Sequence, residues 1–92
     1  MAVVHIPALI LDLTDGEDRI VVEVASDARM TVRELLAEVE RRHPGVESRL
    51  IDNGELVPGI SVFIDGEQSQ AGLRGKAGPE SDIHFIPQIV GG

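Results

Sequence analysis

The segment from residue 31 to residue 45 constrains the fold most, because it carries the clearest helix signal of the chain and both of its ends are marked. Thr31 followed by Glu34 predicts a capping box at the start. Pro44 and Gly45 end the helix, since proline disfavours helical dihedrals in the residue before it. Apolar residues at the spacing i, i+3, i+4, i+7 form one stripe between these ends: Val32, Leu35, Leu36 and Val39. Such a helix needs a second layer on which to bury its stripe.

Alternating apolar segments flank this helix and predict the strands of that layer. Residues 3–11 are apolar and partly β-branched, and we interpret them as a first strand that is irregular at Pro7, which lacks an N–H for the ladder. Turn-forming residues 12–18 join it to the next strand and predict a hairpin. Period-two alternation occurs before the helix and twice after it: Ile20, Val22 and Val24; Ile60, Val62 and Ile64; Ile83 and Phe85.

The remaining segments are expected to be irregular. Residues 50–59 are rich in turn-forming pairs and predict a loop, Asp65-Gly66 predicts a tight turn, and residues 68–79 contain too much glycine for a regular element. The last strand is expected to end at Pro87.

The order of the elements predicts an α+β protein of the β-grasp type, a mixed sheet rolled on one main helix with the last strand beside the first. The 92 residues are too few for a second domain. We therefore expect one β-grasp domain over residues 1–87 and a flexible C-terminal tail over residues 88–92.

Composition excludes several classes of function. Eight Lys and Arg against 16 Asp and Glu give a net charge of −8, which repels nucleic acid and anionic membranes. No apolar run is long enough to cross a bilayer, and no leader pattern is present at Met1, so we expect a cytoplasmic protein without a membrane partner. With no cysteine, disulfides, thiolate metal sites and cysteine persulfides are all excluded.

Conventional active-site patterns are missing from the sequence. His5, His43 and His84 have no spacing that places two of them together by local geometry, and we interpret them as surface or cap residues. The glycine-rich residues 72–77 lack the residues of a phosphate-binding loop, and the acidic residues 12–18 lack a calcium-loop pattern. We expect no metal site, no bound cofactor, no catalytic residue, and no enzyme activity of the chain itself.

The chain end is the unusual feature. Ile89 and Val90 are apolar residues that lead into Gly91-Gly92, whose lack of a Cβ lets the tip enter a passage too narrow for a side chain. A carboxylate is a poor electrophile, so a partner enzyme must first activate the Gly92 carboxylate, for example as an acyl-adenylate made with ATP. ATP is then used by the partner and is not bound here.

The acceptor that attacks this adenylate decides the function. Sulfide would give a thiocarboxylate and therefore a sulfur carrier, whereas a lysine amine would give a protein conjugate and therefore a modifier. Without a cysteine, sulfur could be carried only at the C-terminus. Lys76 is the only lysine, so chains of the protein would have one branch point. A third interpretation is a small binding domain whose Gly-Gly ending has no role.

The closing segment, residues 82–92 with the sequence DIHFIPQIVGG, resembles the last strand and tail of the ubiquitin-like prokaryotic sulfur carriers. Residues 4–7, 43–46 with 49–50, and 62–67 resemble the branch that contains the cysteine-biosynthesis carrier and the small subunit of molybdopterin synthase. The thiamine-pathway carrier is of the same type. The resemblance implies that a ubiquitin-activating-type adenylyltransferase activates Gly92. The resulting thiocarboxylate then donates sulfur to a biosynthetic enzyme.

Strand alternation also predicts a surface for these partners. If the period-two residues of the last two strands face the helix, then Phe63 and Ile86 point outward, beside His5 and His84. Large apolar side chains on a solvated sheet face favour an interaction patch. We therefore expect Phe63, His84 and Ile86, together with Ile89 and Val90 of the tail, to contact the partner enzymes.

Overall fold

A five-stranded mixed sheet forms one layer of the protein, and one long helix packs across its inner face. The computed structural model describes residues 1–87. The strands in chain order are β1 (Ala2–His5), β2 (Arg19–Val22), β3 (Met30–Thr31), β4 (Ile51–Asp52), β5 (Glu55–Leu56), β6 (Ile60–Ile64), β7 (Glu67–Gln68), β8 (Lys76–Ala77) and β9 (Asp82–Pro87). The helices are α1 (Val32–Arg42), α2 (Val46–Leu50) and two 3₁₀ helices, Ala8–Thr14 and Gly72–Arg74.

The first and last strands are neighbours at the centre of the sheet. The strand order is β2-β1-β9-β6-β7, with β1 and β9 parallel and the other pairs antiparallel. Val4 lies opposite Ile83 in the parallel pair, which confirms the predicted pairing of the two chain ends. This mixed sheet on one main helix is the β-grasp arrangement of an α+β protein, as predicted.

Alternate residues of the strands and one stripe of the helix form the core. Ile83 and Phe85 of β9 are buried, as is Val62 of β6, and all three contribute to the cluster beneath α1. The four stripe residues of the helix have no exposed surface: Val32, Leu35, Leu36 and Val39. The predicted division of the strands into an inner and an outer face is therefore confirmed.

Both predicted ends of α1 are present. The Glu34 amide donates to Thr31 Oγ1 at 3.1 Å, and the Thr31 amide donates to Glu34 Oε1 at 2.8 Å, which completes the capping box. The Thr31 hydrogen bonds lower the pKa of the Glu34 carboxyl below its usual value. His43 is the C-cap residue, and its amide donates to the Val39 carbonyl, so its interpretation as a cap residue is confirmed.

Two segments differ from the sequence prediction. The strand predicted over residues 3–11 is wrong beyond His5, because the chain leaves the sheet at Pro7 and forms the 3₁₀ helix Ala8–Thr14. The segment is kinked at Ile10, where φ is −123° and ψ is 20°, so it consists of two short 3₁₀ turns; Ile10 and Thr14 are buried. A short apolar run of this length is compatible with a strand or with a helical segment, and periodicity alone does not distinguish them.

The loop predicted over residues 50–59 is also wrong in part. Its first residue ends α2, and β4 and β5 then form a small hairpin through Asn53 and Gly54, both of which have positive φ, as a two-residue turn requires. The glycine-rich residues 68–79 contain the second 3₁₀ helix and the short strand β8, which pairs with β3. Isolated two-residue strands leave no periodicity to detect.

Candidate docking face

The outer face of the sheet, opposite α1, brings together side chains from all five strands. The backbone registers align one row straight across it, with one residue from each strand: Arg19, His5, His84, Phe63 and Gln68. Residues in register on neighbouring strands point to the same face. Ile86 lies on this face as well, two residues beyond His84 and opposite Ser61. We refer to His5, Phe63, His84 and Ile86 as the docking face.

Two histidines stack at the centre of the docking face. The ring centroids of His5 and His84 lie 3.9 Å apart with an angle of 7° between the ring planes. They come from opposite ends of the chain and meet because β1 and β9 are parallel neighbours. Sequence spacing alone therefore could not pair them, although strand alternation predicted that both point outward.

A carboxylate fixes the orientation of this pair. His5 Nε2 lies 2.9 Å from Asp82 Oδ1, and because an ionised carboxylate only accepts hydrogen bonds, this nitrogen carries the proton and donates it. The hydrogen bond from His5 lowers the pKa of the Asp82 carboxyl below its usual value, and desolvation opposes this effect. The sequence analysis did not identify Asp82 as part of the site, because its partner lies on a distant strand.

The start of β9 is anchored by a second aspartate. The Asp65 carboxylate accepts hydrogen bonds from the Asp82 amide and the Ser81 hydroxyl, each at 2.9 Å. Asp65 and Gly66 have φ values of 51° and 84°, which form the tight turn predicted from the sequence. The turn thus holds β9, and with it His84, in register with β6.

The two apolar residues of the docking face, Phe63 and Ile86, differ in solvent exposure. Ile86 exposes 43% of its surface, whereas Phe63 is half-buried beside His84 in the register of β6 and β9. Of the predicted site residues, the structure brings Phe63, His84 and Ile86 together. The other four, Ile89, Val90, Gly91 and Gly92, lie outside the described residues. The described part of β9 runs to Pro87, the residue after Ile86.

The rest of residues 1–87 carries few other candidate sites. No group of three or more metal-binding side chains occurs in this part of the chain. None of the helices described is both long and apolar enough to cross a membrane. An open cavity of about 530 Å³ lies between Arg33 and Arg74, but the Arg33 guanidinium already donates to the Gly54 carbonyl.

The crossing helix, the parallel central pair of strands and the antiparallel outer strands define a ubiquitin-like β-grasp protein. No protein-family model matches the sequence, and no curated protein does. Several solved structures do match this chain over almost its whole length.

One of these structures is the BexX/CysO complex of Amycolatopsis orientalis, with 28% identity, complete coverage of both chains and a TM-score of 0.81. CysO of Mycobacterium tuberculosis has 18% identity and a TM-score of 0.81 over 97% of this chain and 100% of its own. SAMP1 of Haloferax volcanii has 29% identity and a TM-score of 0.69 over 99% of this chain and 98% of its own. The resemblance to the ubiquitin-like sulfur carriers is thereby confirmed.

Proposed function

We propose that this protein is a sulfur carrier whose Gly92 carboxylate is converted to a thiocarboxylate by partner enzymes. The carboxylate attacks the α-phosphorus of ATP on a ubiquitin-activating-type adenylyltransferase, and pyrophosphate leaves. A sulfide equivalent supplied by a partner then attacks the acyl carbon, and AMP leaves. The thiocarboxylate donates its sulfur to a biosynthetic enzyme, in the cysteine, molybdopterin or a related pathway, in the cytoplasm.

The observation that carries this proposal is the full-length similarity to CysO, which in one of the structures is in complex with a second protein, BexX. A chain without cysteine has no thiol for a persulfide, so a carrier of this sequence must use its C-terminus.

The docking face supports recognition by those enzymes. Ile86 precedes Gly92 by only six residues in the sequence, so a partner that covers Ile86 binds near the segment that carries Gly92. Ile86 supplies exposed apolar surface, and the His5–His84 stack supplies a flat surface beside it. A partly apolar centre with polar groups at its edge is the common composition of protein interfaces.

The mass of the protein isolated from its own cells tests the proposal directly. Replacement of the terminal oxygen by sulfur raises the intact mass by about 16 Da, and an alkylating reagent specific for thiocarboxylates should label the same species. Deletion of Gly91 and Gly92 should remove both signals and the biosynthetic activity that depends on the protein. A truncated protein that still supports the pathway in cells would contradict the proposal.

Ile86→Asp tests the role of the docking face. We expect adenylation by the partner to fall at least tenfold, because a charge would be buried at the interface, while the domain stays folded. Val21→Asp is the matched control, since Val21 is also 43% exposed on the outer face but lies on β2, two strands from β9. An equal loss of adenylation in both variants would show that the docking face has no specific role in recognition by the partner.

A second function uses the same activation chemistry. SAMP1 is a small archaeal modifier protein, and its 28–29% sequence identity to this chain is like the 28% of the BexX/CysO structure, although its TM-scores of 0.69 and 0.70 are lower than 0.81. A modifier would be attached through Gly92 to lysines of other proteins. Mass spectrometry of digested cell extract distinguishes the two functions, because a modifier leaves tail-derived branches on target lysines whereas a carrier leaves none.

A further inference from the structure

A small apolar pocket opens at the surface near Pro87. Its volume is about 110 Å³, and its walls come from Pro7 and the 3₁₀ helix that follows it, from α2 and from the adjoining ends of β6 and β9. All of its lining residues except one are apolar, and Phe85 and Pro87 are among them. A cavity of roughly 150 Å³ holds a benzene-sized ligand, so this pocket is large enough for one branched aliphatic side chain.

The rim of the pocket carries an apolar side chain that the fold leaves in contact with water. Leu9 exposes 73% of its surface, the highest value among the large apolar residues of the part described. The next residue, Ile10, is buried in the core. Because removal of apolar surface from water is favourable, an apolar side chain that enters the pocket from another molecule gains by covering Leu9 as well.

Arg49 of α2 is the one charged residue that lines the pocket. It is exposed and forms no ion pair with any residue of the described chain, 1–87. In a protein with a net charge of −8, this guanidinium is a local site of the opposite sign. Guanidinium groups bind carboxylates through two parallel hydrogen bonds. The chemistry that complements the pocket is therefore an aliphatic side chain with a carboxylate close to it.

The number of residues after Pro87 limits where an enzyme that acts on Gly92 can bind. Gly92 follows Pro87 by five residues, and five residues span at most about 18 Å. This covalent limit holds for every path that the segment can take. An active site that holds Gly92 must lie within this distance of Pro87, and Pro87 is itself a wall of the pocket. The surface around that active site is consequently close enough to cover the pocket.

We propose that this pocket is a docking site for the activating enzyme, which inserts one aliphatic side chain beside Leu9 and pairs a neighbouring carboxylate with Arg49. The inference rests on the proposed function, because the distance limit applies only to an enzyme that acts on Gly92. The pocket adds a second contact to the docking face, since Pro87 in its wall follows Ile86 in β9. Two contacts at this end of β9 orient the domain relative to the active site.

Steady-state kinetics of ATP–pyrophosphate exchange, with the full chain as the varied substrate, test this proposal. The enzyme used is the one from the same cells that exchanges pyrophosphate into ATP only when the parent protein is added. Leu9→Asn should raise the KM for the protein by about fivefold or more and leave kcat within about twofold, because the reacting groups are unchanged. Val21→Asn, which changes an exposed apolar residue on β2, is the matched control and should leave both constants unaltered. Both variants should keep the circular dichroism spectrum of the parent.

Arg49→Gln tests the charged part of the pocket. The KM should rise by about threefold at low salt, and its further increase with salt concentration should be weaker than in the parent protein, because salt screens the pair between Arg49 and the enzyme's carboxylate. Arg74→Gln is the matched control, since Arg74 is also exposed but lines the other cavity. An equal rise of the KM in both variants would mean that the net charge of the chain, and not Arg49, attracts the enzyme.

Three further results would overturn the proposal. An unchanged KM in Leu9→Asn would show that no side chain of the enzyme enters the pocket. A loss confined to kcat would point to residues 88–92 of the chain itself as the occupant. A dimer of the parent protein that Leu9→Asn dissociates in sedimentation equilibrium would make a second copy the occupant. In each case the parent is still activated at Gly92, so the proposed function stands. A parent protein that no enzyme activates would contradict the proposed function itself, and this inference with it.

Discussion

The two faces of β9 differ in chemistry although their residues alternate along a single strand. Ile83 and Phe85 face α1 and are almost fully buried, whereas Asp82, His84 and Ile86 face outward. The inner side chains join the apolar core, while the outer ones include a histidine stacked on His5, an aspartate hydrogen-bonded to His5 and an exposed isoleucine. Side chains of the core and side chains of the proposed docking face therefore lie one residue step apart within the same strand.

The largest expected difference between the faces is in the free energy of unfolding when an isoleucine on each face is replaced by alanine. Ile83→Ala should lower the free energy of unfolding by about 2–5 kcal/mol, because it opens a cavity in a site with no exposed surface. Ile86→Ala should change it by less than about 0.5 kcal/mol, because the side chain is already 43% exposed. Urea unfolding followed by circular dichroism measures both values.

Equal destabilisation by these two substitutions would contradict the proposed difference between the faces, since the outer face would then contribute as much to stability as the core. Ile83→Val is a milder check on the inner face, with an expected loss of about 0.5–1.5 kcal/mol. If the cost rises from Ile83→Val to Ile83→Ala, cavity formation is its cause.

A smaller loss of stability is expected from a substitution at the N-terminus of α1, the helix that covers the inner face. Thr31→Ala removes the side-chain acceptor of the capping box, so the free energy of unfolding should fall by about 1 kcal/mol. Thr31→Ser keeps the hydroxyl and should retain most of the stability. Loss of the same size in both variants would show that the methyl group of Thr31, and not the cap, is responsible.

The smallest effect is expected from the hydrogen bond between His5 and Asp82 on the outer face. The pKa of Asp82 is lowered in the folded protein, so its carboxylate stabilises the fold above the ordinary value of 3.8 and this contribution disappears as the pH falls through the lowered pKa. Asp82→Asn should therefore lose less stability on acidification from neutral pH than the parent protein does. Thermal unfolding across this pH range measures the difference.

His5→Asn separates the cause of this pH dependence from the general acid sensitivity of a chain with 16 acidic residues. The His5 hydrogen bond is the main reason for the lowered pKa of Asp82, so removing the imidazole should flatten the same part of the pH profile. An unchanged profile in both variants would mean that other carboxylates determine it.

Much of the architecture could be predicted from local pattern. The capping box joins residues three positions apart, and the helix stripe and strand alternation involve residues within a few positions, so each leaves a direct trace in the sequence. The 3₁₀ helix Ala8–Thr14 could not be predicted, because burial of Ile10 and Thr14 by the rest of the fold selects it over a strand. The His5–Asp82 contact has no local trace for the same reason.

The apolar positions of each strand, the two ends of α1 and the Gly91-Gly92 ending after an apolar pair can all be read from the amino-acid sequence. The stacking of His5 on His84 and the hydrogen bond from His5 to Asp82 arise only when the chain folds. These two kinds of feature differ in the sequence separation of the residues that interact. Local propensities depend on neighbouring residues, whereas the pairing of β1 with β9 depends on how the whole chain buries its apolar surface against α1.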